Sequence, residues 1–269
     1  MNAILDILMQ DAAVWRGGDI AHIAQTLTSG FPGLDRLLPG GGWPKGALTE
    51  LLLEHQGIGE LRLILPAIGE ITRTEGWVAL VAPPYIPYAP ALVSLGVDLN
   101  HLVVLEPRAL KDQWWAAEQA LRAGSCSAVV FWPSTIDERN LRRLQLAAQT
   151  GGAAGFVFTP AARAAQASPA PLRIRLSPAG SDLEVQILKR RGSLVETPLR
   201  LDVGSVRDSL VTGRTTEPIK PFPDVKPRSR AIPLRANKHY PNGADSKRIW
   251  DRAIAHSDEV KRSASQERR

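Results

Sequence analysis

Cysteine is nearly missing: Cys126 is the single one in 269 residues. That excludes an intramolecular disulfide and any multi-thiolate metal site. It sits beside the apolar run Ala128 to Trp132 and reads as a small buried filler rather than a reactive thiol. The five histidines, His22, His55, His101, His239 and His256, are scattered without ligand spacing, so metal chemistry is not expected. No run of about 18 apolar residues occurs, and no basic residue precedes the apolar stretch within Met1 to Gln10. Neither a membrane span nor a secretory signal is therefore expected, and the expected location is the cytoplasm.

What is present is an ordinary apolar fraction, 44%, enough for one large domain and an extension. The charge divides unevenly. Residues 1–204 hold 18 Lys+Arg and 19 Asp+Glu, a net of −1, whereas 205–269 hold 15 and 8, a net of +7. The second segment is also rich in Pro and Ser, with five prolines between Pro218 and Pro233, and is expected to be a disordered basic tail. Such a tail suits nucleic acid, an acidic partner surface or simple solubilisation. Within it, Trp250 in Lys247-Arg248-Ile249-Trp250 is a candidate apolar anchor for a partner.

Along the chain, apolar spacing in Asn2 to Arg16 suggests an amphipathic N-terminal helix, and residues 1–25 are taken as that helix and a linker. Thereafter strand and helix patterns alternate. Leu48–Leu53, Trp77–Ala82, Leu102–Glu106, Ala128–Trp132 and Phe156–Thr159 read as strands; Glu60–Thr74, Ala89–Leu95, Asp112–Ala123 and Asp137–Thr150 read as helices. Helical crossovers of this length require a mainly parallel sheet with helices on both faces. Leu172–Leu176 and Leu183–Lys189, across a Ser177–Asp182 turn, read as an appended antiparallel hairpin, and Thr197–Val203 as a last extended stretch. The folded domain is thus expected to span 26–204.

In such a sheet, the loop after the first strand is where a phosphate would be cradled by backbone N–H groups and a helix N-terminus. Here it reads Glu54-His55-Gln56-Gly57-Ile58-Gly59-Glu60-Leu61. A working phosphate loop has Lys followed by Ser or Thr after its last glycine. Glu60 and Leu61 stand there instead, so one residue repels a triphosphate and the other cannot ligate magnesium. The strand Ala128 to Trp132 ends in Trp132-Pro133-Ser134 rather than in an acidic metal ligand, and the second strand, Trp77–Ala82, runs into Ala82-Pro83-Pro84-Tyr85 without a carboxylate to activate water. Gly57, Gly59, Glu60 and Leu61 are therefore read as a degenerate phosphate loop. No cofactor and no enzymatic activity are expected.

The segment Thr28 to Glu50, with Ser29-Gly30, Leu34-Asp35, Gly41-Gly42 and Pro44-x-Gly46, resembles the run into the phosphate loop of bacterial RecA recombinases; Gly96-Val97-Asp98-Leu99 resembles a second RecA stretch. Further segments look like the ImuA family: Gly40 to Pro44, Gly57 to Leu61, Val81 to Leu92, Leu141 to Ala148 and Leu188 to Gly192. That resemblance implies a RecA-like three-layer fold and a non-catalytic accessory role in SOS-associated translesion synthesis. The partners it implies are an ImuB-type inactive Y-family polymerase homologue, an error-prone C-family polymerase and RecA. Two other classes stay open: a SulA-like division inhibitor acting on the division-ring GTPase, and a divergent RecA-type ATPase. Arg139, Arg142 and Arg143 on one helix, with Lys189, Arg190 and Arg191 after the hairpin, are candidates for a basic patch that meets DNA phosphates or an acidic partner; a solvated helix face is the plainer reading. Trp114 and Trp115 are adjacent and point about 100° apart on a helix, so at least one is expected at a surface.

Overall fold

The computed structural model describes residues 25–192 and 197–204, all within the unit Met1–Arg214. The expected N-terminal helix, the basic tail and Trp250 lie outside the described residues.

The domain is built on an eight-stranded sheet. In chain order the strands are β3 (Ala47–Leu53), β4 (Trp77–Val81), β5 (Leu102–Leu105), β6 (Cys126–Phe131), β7 (Ala154–Pro160), β8 (Leu172–Ala179), β9 (Asp182–Lys189) and β10 (Leu199–Leu201). Their order in space is β10-β9-β8-β3-β7-β6-β4-β5. From β8 to β5 every pairing is parallel; β9 and β10 join antiparallel. A short antiparallel pair, β1 (Thr26–Leu27) with β2 (Trp43–Pro44), precedes the sheet. All seven residues of β3 are buried, as a strand covered on both faces must be.

Helices α2 (Glu60–Arg73), α3 (Ala89–Ser94), α4 (Leu110–Arg122) and α5 (Glu138–Gly151) supply the outer layers. On one face Leu63, Ile64 and Ile68 of α2 share a core with Leu51, Leu53, Val130, Phe156 and Ile174. On the other, α4 packs on α5, and the Gln145 side chain of α5 accepts the buried Leu48 N–H at 2.9 Å. Helix α5 starts at an Asp137 cap whose carboxylate accepts the Arg139 N–H, and stops at Gly152 in the left-handed conformation. Of the adjacent tryptophans, Trp114 is buried edge-on against Phe131, while Trp115 is exposed.

Helix α2 contains Pro66, which removes one internal hydrogen bond; its continuous buried face keeps it helical. Pro66 also meets Gly30, at φ +80°, where an added Cβ would fall 2.4 Å from the proline Cβ. The entry segment is knotted by Asp35 of the short α1 (Pro32–Asp35), which accepts from the Ser29 N–H and the Thr28 hydroxyl, both at 2.9 Å.

The hairpin is longer than its sequence suggests. Strands β8 and β9 run through the expected Ser177–Asp182 turn and pair up to Ala179 and Asp182, leaving Gly180 and Ser181 as a two-residue connection with Gly180 at φ +74°. The final extended stretch narrows to β10.

Candidate functional site

The loop from Glu54 to Gly59 joins the end of β3 to α2, the position where a phosphate would meet a helix N-terminus. Gly57 and Gly59 both hold positive φ, +86° and +95°, which turns the loop sharply into the helix. Its interior is occupied by the chain itself. The Glu60 carboxylate folds back and accepts the Gly57 N–H, 3.1 and 3.2 Å from its two oxygens, with Glu60 only 8% exposed. A negative side chain thus takes the place at the positive end of α2 that a bound anion would occupy. The repulsion expected at Glu60 is therefore joined by direct occupation.

Glu54 to Gly57 are exposed, while the end of the loop is held against the domain. Leu61 packs against the hydrophobic core with Ile58. Val203, just past β10, is buried and approaches Gly59 so closely that a Cβ there would lie 3.3 Å from its methyl. At the end of β6, where a metal-binding carboxylate would be needed, Trp132 stacks on Phe158 with ring centres 5.0 Å apart and planes 23° apart. At the end of β4, Ala82 takes φ +49° and donates its N–H to Leu105 O at 2.8 Å. Glu54, the first loop residue, accepts from Arg175 Nη2 at 2.6 Å. That hydrogen bond, and secondarily the guanidinium charge, hold the Glu54 carboxyl below its ordinary range and tie the loop to β8.

A second polar cluster escaped the sequence reading. Glu50, wholly buried in the middle of β3, accepts from Arg173 Nε at 2.8 Å and from the Thr159 hydroxyl at 3.0 Å. Arg173 also donates to the carbonyls of Arg163, Ala164 and Gln166, fastening the segment after β7. Four of the five N–H donors of this buried guanidinium are thus engaged, which offsets the cost of burying it. The one visible signal was a carboxylate inside an otherwise uncharged strand.

The six candidate basic residues do not form one patch. Arg143 of α5 pairs with the buried Glu118 of α4 and so bridges the two helices, while Arg122 of α4 shares the same carboxylate. Arg139 and Arg142 are exposed near the start of α5, which begins beyond the C-terminal end of β6. Lys189 ends the antiparallel β9 opposite Arg173, near the beginning of the parallel β8, and so lies toward the other end of the sheet. Lys189 donates to Ser168 O at 2.8 Å, Arg190 donates to Leu37 O, and Arg191 is exposed. Arginine triplet and Lys-Arg-Arg run are separated because sequence spacing carries no information about which end of a sheet each reaches.

Among the described residues no three His, Cys, Asp or Glu side chains gather as a metal site, and no helix is long and apolar enough to cross a membrane. Cys126 is buried, and desolvation pushes its thiol up to about 11.

Residues 36–163 match the family model of the MT3502 N-terminal domain. The chain is 32% identical over 121 residues to Protein RecA of Francisella tularensis subsp. novicida (strain U112), covering 44% of this chain and 33% of that protein. The same figures hold for Protein RecA of Francisella tularensis subsp. tularensis (strain SCHU S4 / Schu 4) and of subsp. holarctica (strain LVS). The domain is RecA-like. The chain spans about a third of the length of the curated relatives it matches. In this RecA-like domain the loop between β3 and α2 is held by the Glu60 carboxylate on the Gly57 N–H and by Val203 against Gly59.

Proposed function

We propose that this chain is a non-catalytic accessory protein of DNA repair, acting in SOS-induced mutagenic translesion synthesis. On this reading it works through protein contacts with an ImuB-type polymerase homologue, an error-prone C-family polymerase or RecA. The observation that carries the reading is the Glu60 carboxylate hydrogen-bonded inside the phosphate loop. An enzyme of this fold needs cations and a hydroxyl there, because phosphoryl transfer depends on electrostatic stabilisation of the transferring group. A loop that satisfies its own N–H with its own carboxylate has exchanged that capacity for a fixed conformation. What remains is a scaffold with surfaces. The RecA likeness favours work beside DNA repair, and the ImuA-like segments favour lesion bypass.

The test has two arms. Melting of the full chain with millimolar ATP and magnesium should show no shift, and phosphate release should stay at background; saturable stabilisation by ATP would overturn the non-catalytic reading. Affinity capture of the tagged chain from DNA-damaged cells, read by immunoblot, should recover an ImuB-type protein, a C-family polymerase or RecA. Recovery of the division-ring GTPase in their place would move the function to division control.

A further inference from the structure

Between Gly76 and Leu105 the chain carries one carboxylate, Asp98, and no lysine or arginine. Asp98 is engaged locally, accepting from the Asn100 N–H and amide at 3.0 and 2.9 Å and meeting His101 Nδ1 at 3.0 Å. The same thirty residues supply seven of the ten large apolar side chains left exposed among the described residues, including Tyr85 at 73%, Ile86 at 87% and Val104 at 40%. They also end in β5, the edge strand, which among the described residues pairs only with β4. Its sequence, Leu102-Val103-Val104-Leu105, has no charge and no proline, and its pairing with β4 has no bulge. Those are the devices by which edge strands are kept from pairing with other chains. Among the described residues the four-residue edge is uncovered up to Glu106, and an apolar edge beside a large exposed apolar strip marks a surface suited to being covered.

We infer that two copies of this chain join through their β5 edges, antiparallel, about a two-fold axis at Val104. Charge decides for a second copy over an unlike partner. A two-fold contact sets a surface against itself, so any charge near the axis meets its own sign. A surface built for a different protein gains steering and specificity from complementary charge, and this one offers only Asp98 within it, with Glu75 and Glu106 at its borders. Symmetry sets the direction, and Val104, the one exposed residue of β5, is taken as the centre of the register. A two-fold axis normal to the sheet reverses the strand, giving an antiparallel ladder in which opposed residues share a face. The axis therefore passes between equivalent residues, and centring it on Val104 sets Val103 opposite Leu105 of the partner subunit. The contact closes on itself rather than propagating. It also satisfies the outward-facing backbone groups of both edges, and it goes beyond the accessory role, holding whether or not that role is correct.

Light scattering on the eluting full chain at tens of micromolar should give about twice the 29.2 kDa of one chain. Val104→Lys places two ammonium groups face to face on the axis and should weaken association at least tenfold, with the melting temperature at nanomolar concentration unchanged. Val104→Cys should yield a covalent dimer under mild oxidation, because directly opposed residues lie about 5 Å apart at Cα, within disulfide reach; the native Cys126 is buried and does not compete. Any of three results overturns the inference: a monomer throughout, a concentration-dependent ladder of larger species as head-to-tail contacts would give, or a dimer that survives Val104→Lys and fails to cross-link at 104.

Discussion

The centre of the sheet and its β5 edge treat exposed chemistry in opposite ways. Around β3 the carboxylates are internally engaged: Glu60 fills the loop it helps to form, Glu54 is held by Arg175, and Glu50 is locked to Arg173 and Thr159. Around β4 and β5 little is satisfied: the edge is unpaired among the described residues, and Tyr85, Ile86 and Tyr88 stand in water. The difference teaches that the carboxylates around β3 are spent on internal contacts, whereas the apolar side chains around β4 and β5 are left to water. Substitutions near β3 should therefore cost stability, and substitutions on the β4–β5 side should cost association.

The largest effect is expected at the buried ion pair. Glu50→Ala leaves the Arg173 guanidinium without its counter-charge in the core and should lower unfolding free energy by about 3–5 kcal/mol. Denaturant titration checks this, and Glu50→Leu combined with Arg173→Met should recover much of the loss; equal damage from the double change would show that the pair itself is not the cause. Next comes Trp132→Asp, which restores the kind of residue a metal-dependent enzyme carries at the end of β6. It removes an aromatic stacked on Phe158 and should cost about 3 kcal/mol, without creating magnesium-dependent ATP binding, since Glu60 and Val203 still occupy the loop. Thermal melting with and without Mg-ATP decides; a ligand-induced rise would mean that the loop is open.

Most of the frame was legible because its signals are local. Buried parallel strands such as β3 and β6 read as short apolar runs, and α5 announced both ends through Asp137 and Gly152. The glycine-bounded turn into α2 was legible from Gly57 and Gly59, both of which hold positive φ. Where the Glu60 carboxylate points was not, because that depends on the positive φ of Gly57 and Gly59 bringing one N–H to face it. The Glu50–Arg173 pair joins residues 123 apart, and Arg143 finds Glu118 on a different helix; no periodicity encodes either. Strands β1 and β2, two residues each, are too short to show alternation. Ser177-Pro178-Ala179 reads as turn yet extends β8, with Pro178 opposite Leu183.

A smaller effect tests the loop itself. Glu60→Ala removes a carboxylate from the positive end of α2 and deprives the Gly57 N–H of its acceptor, which should cost about 1 kcal/mol. Chemical denaturation of the purified variant measures it; a gain in stability would mean that the carboxylate is strained there rather than welcomed.

The smallest effect is the sharpest test of the contrast. Ile86 is 87% exposed, so Ile86→Ser removes no buried surface and should change unfolding free energy by no more than about 0.5 kcal/mol. The measurement has to be made at nanomolar concentration, because any association would add ligand-like stabilisation to the wild type and inflate the apparent loss. Tyr85→Ser should behave alike, its side chain being 73% exposed. A loss above 1 kcal/mol in either variant under those conditions would show that the segment after β4 packs on the domain. The contrast between a closed β3 side and an open β4–β5 side would then fail at its open end. A negligible change, set beside the several kcal/mol at Glu50, would confirm that these apolar side chains contribute nothing to the fold that carries them.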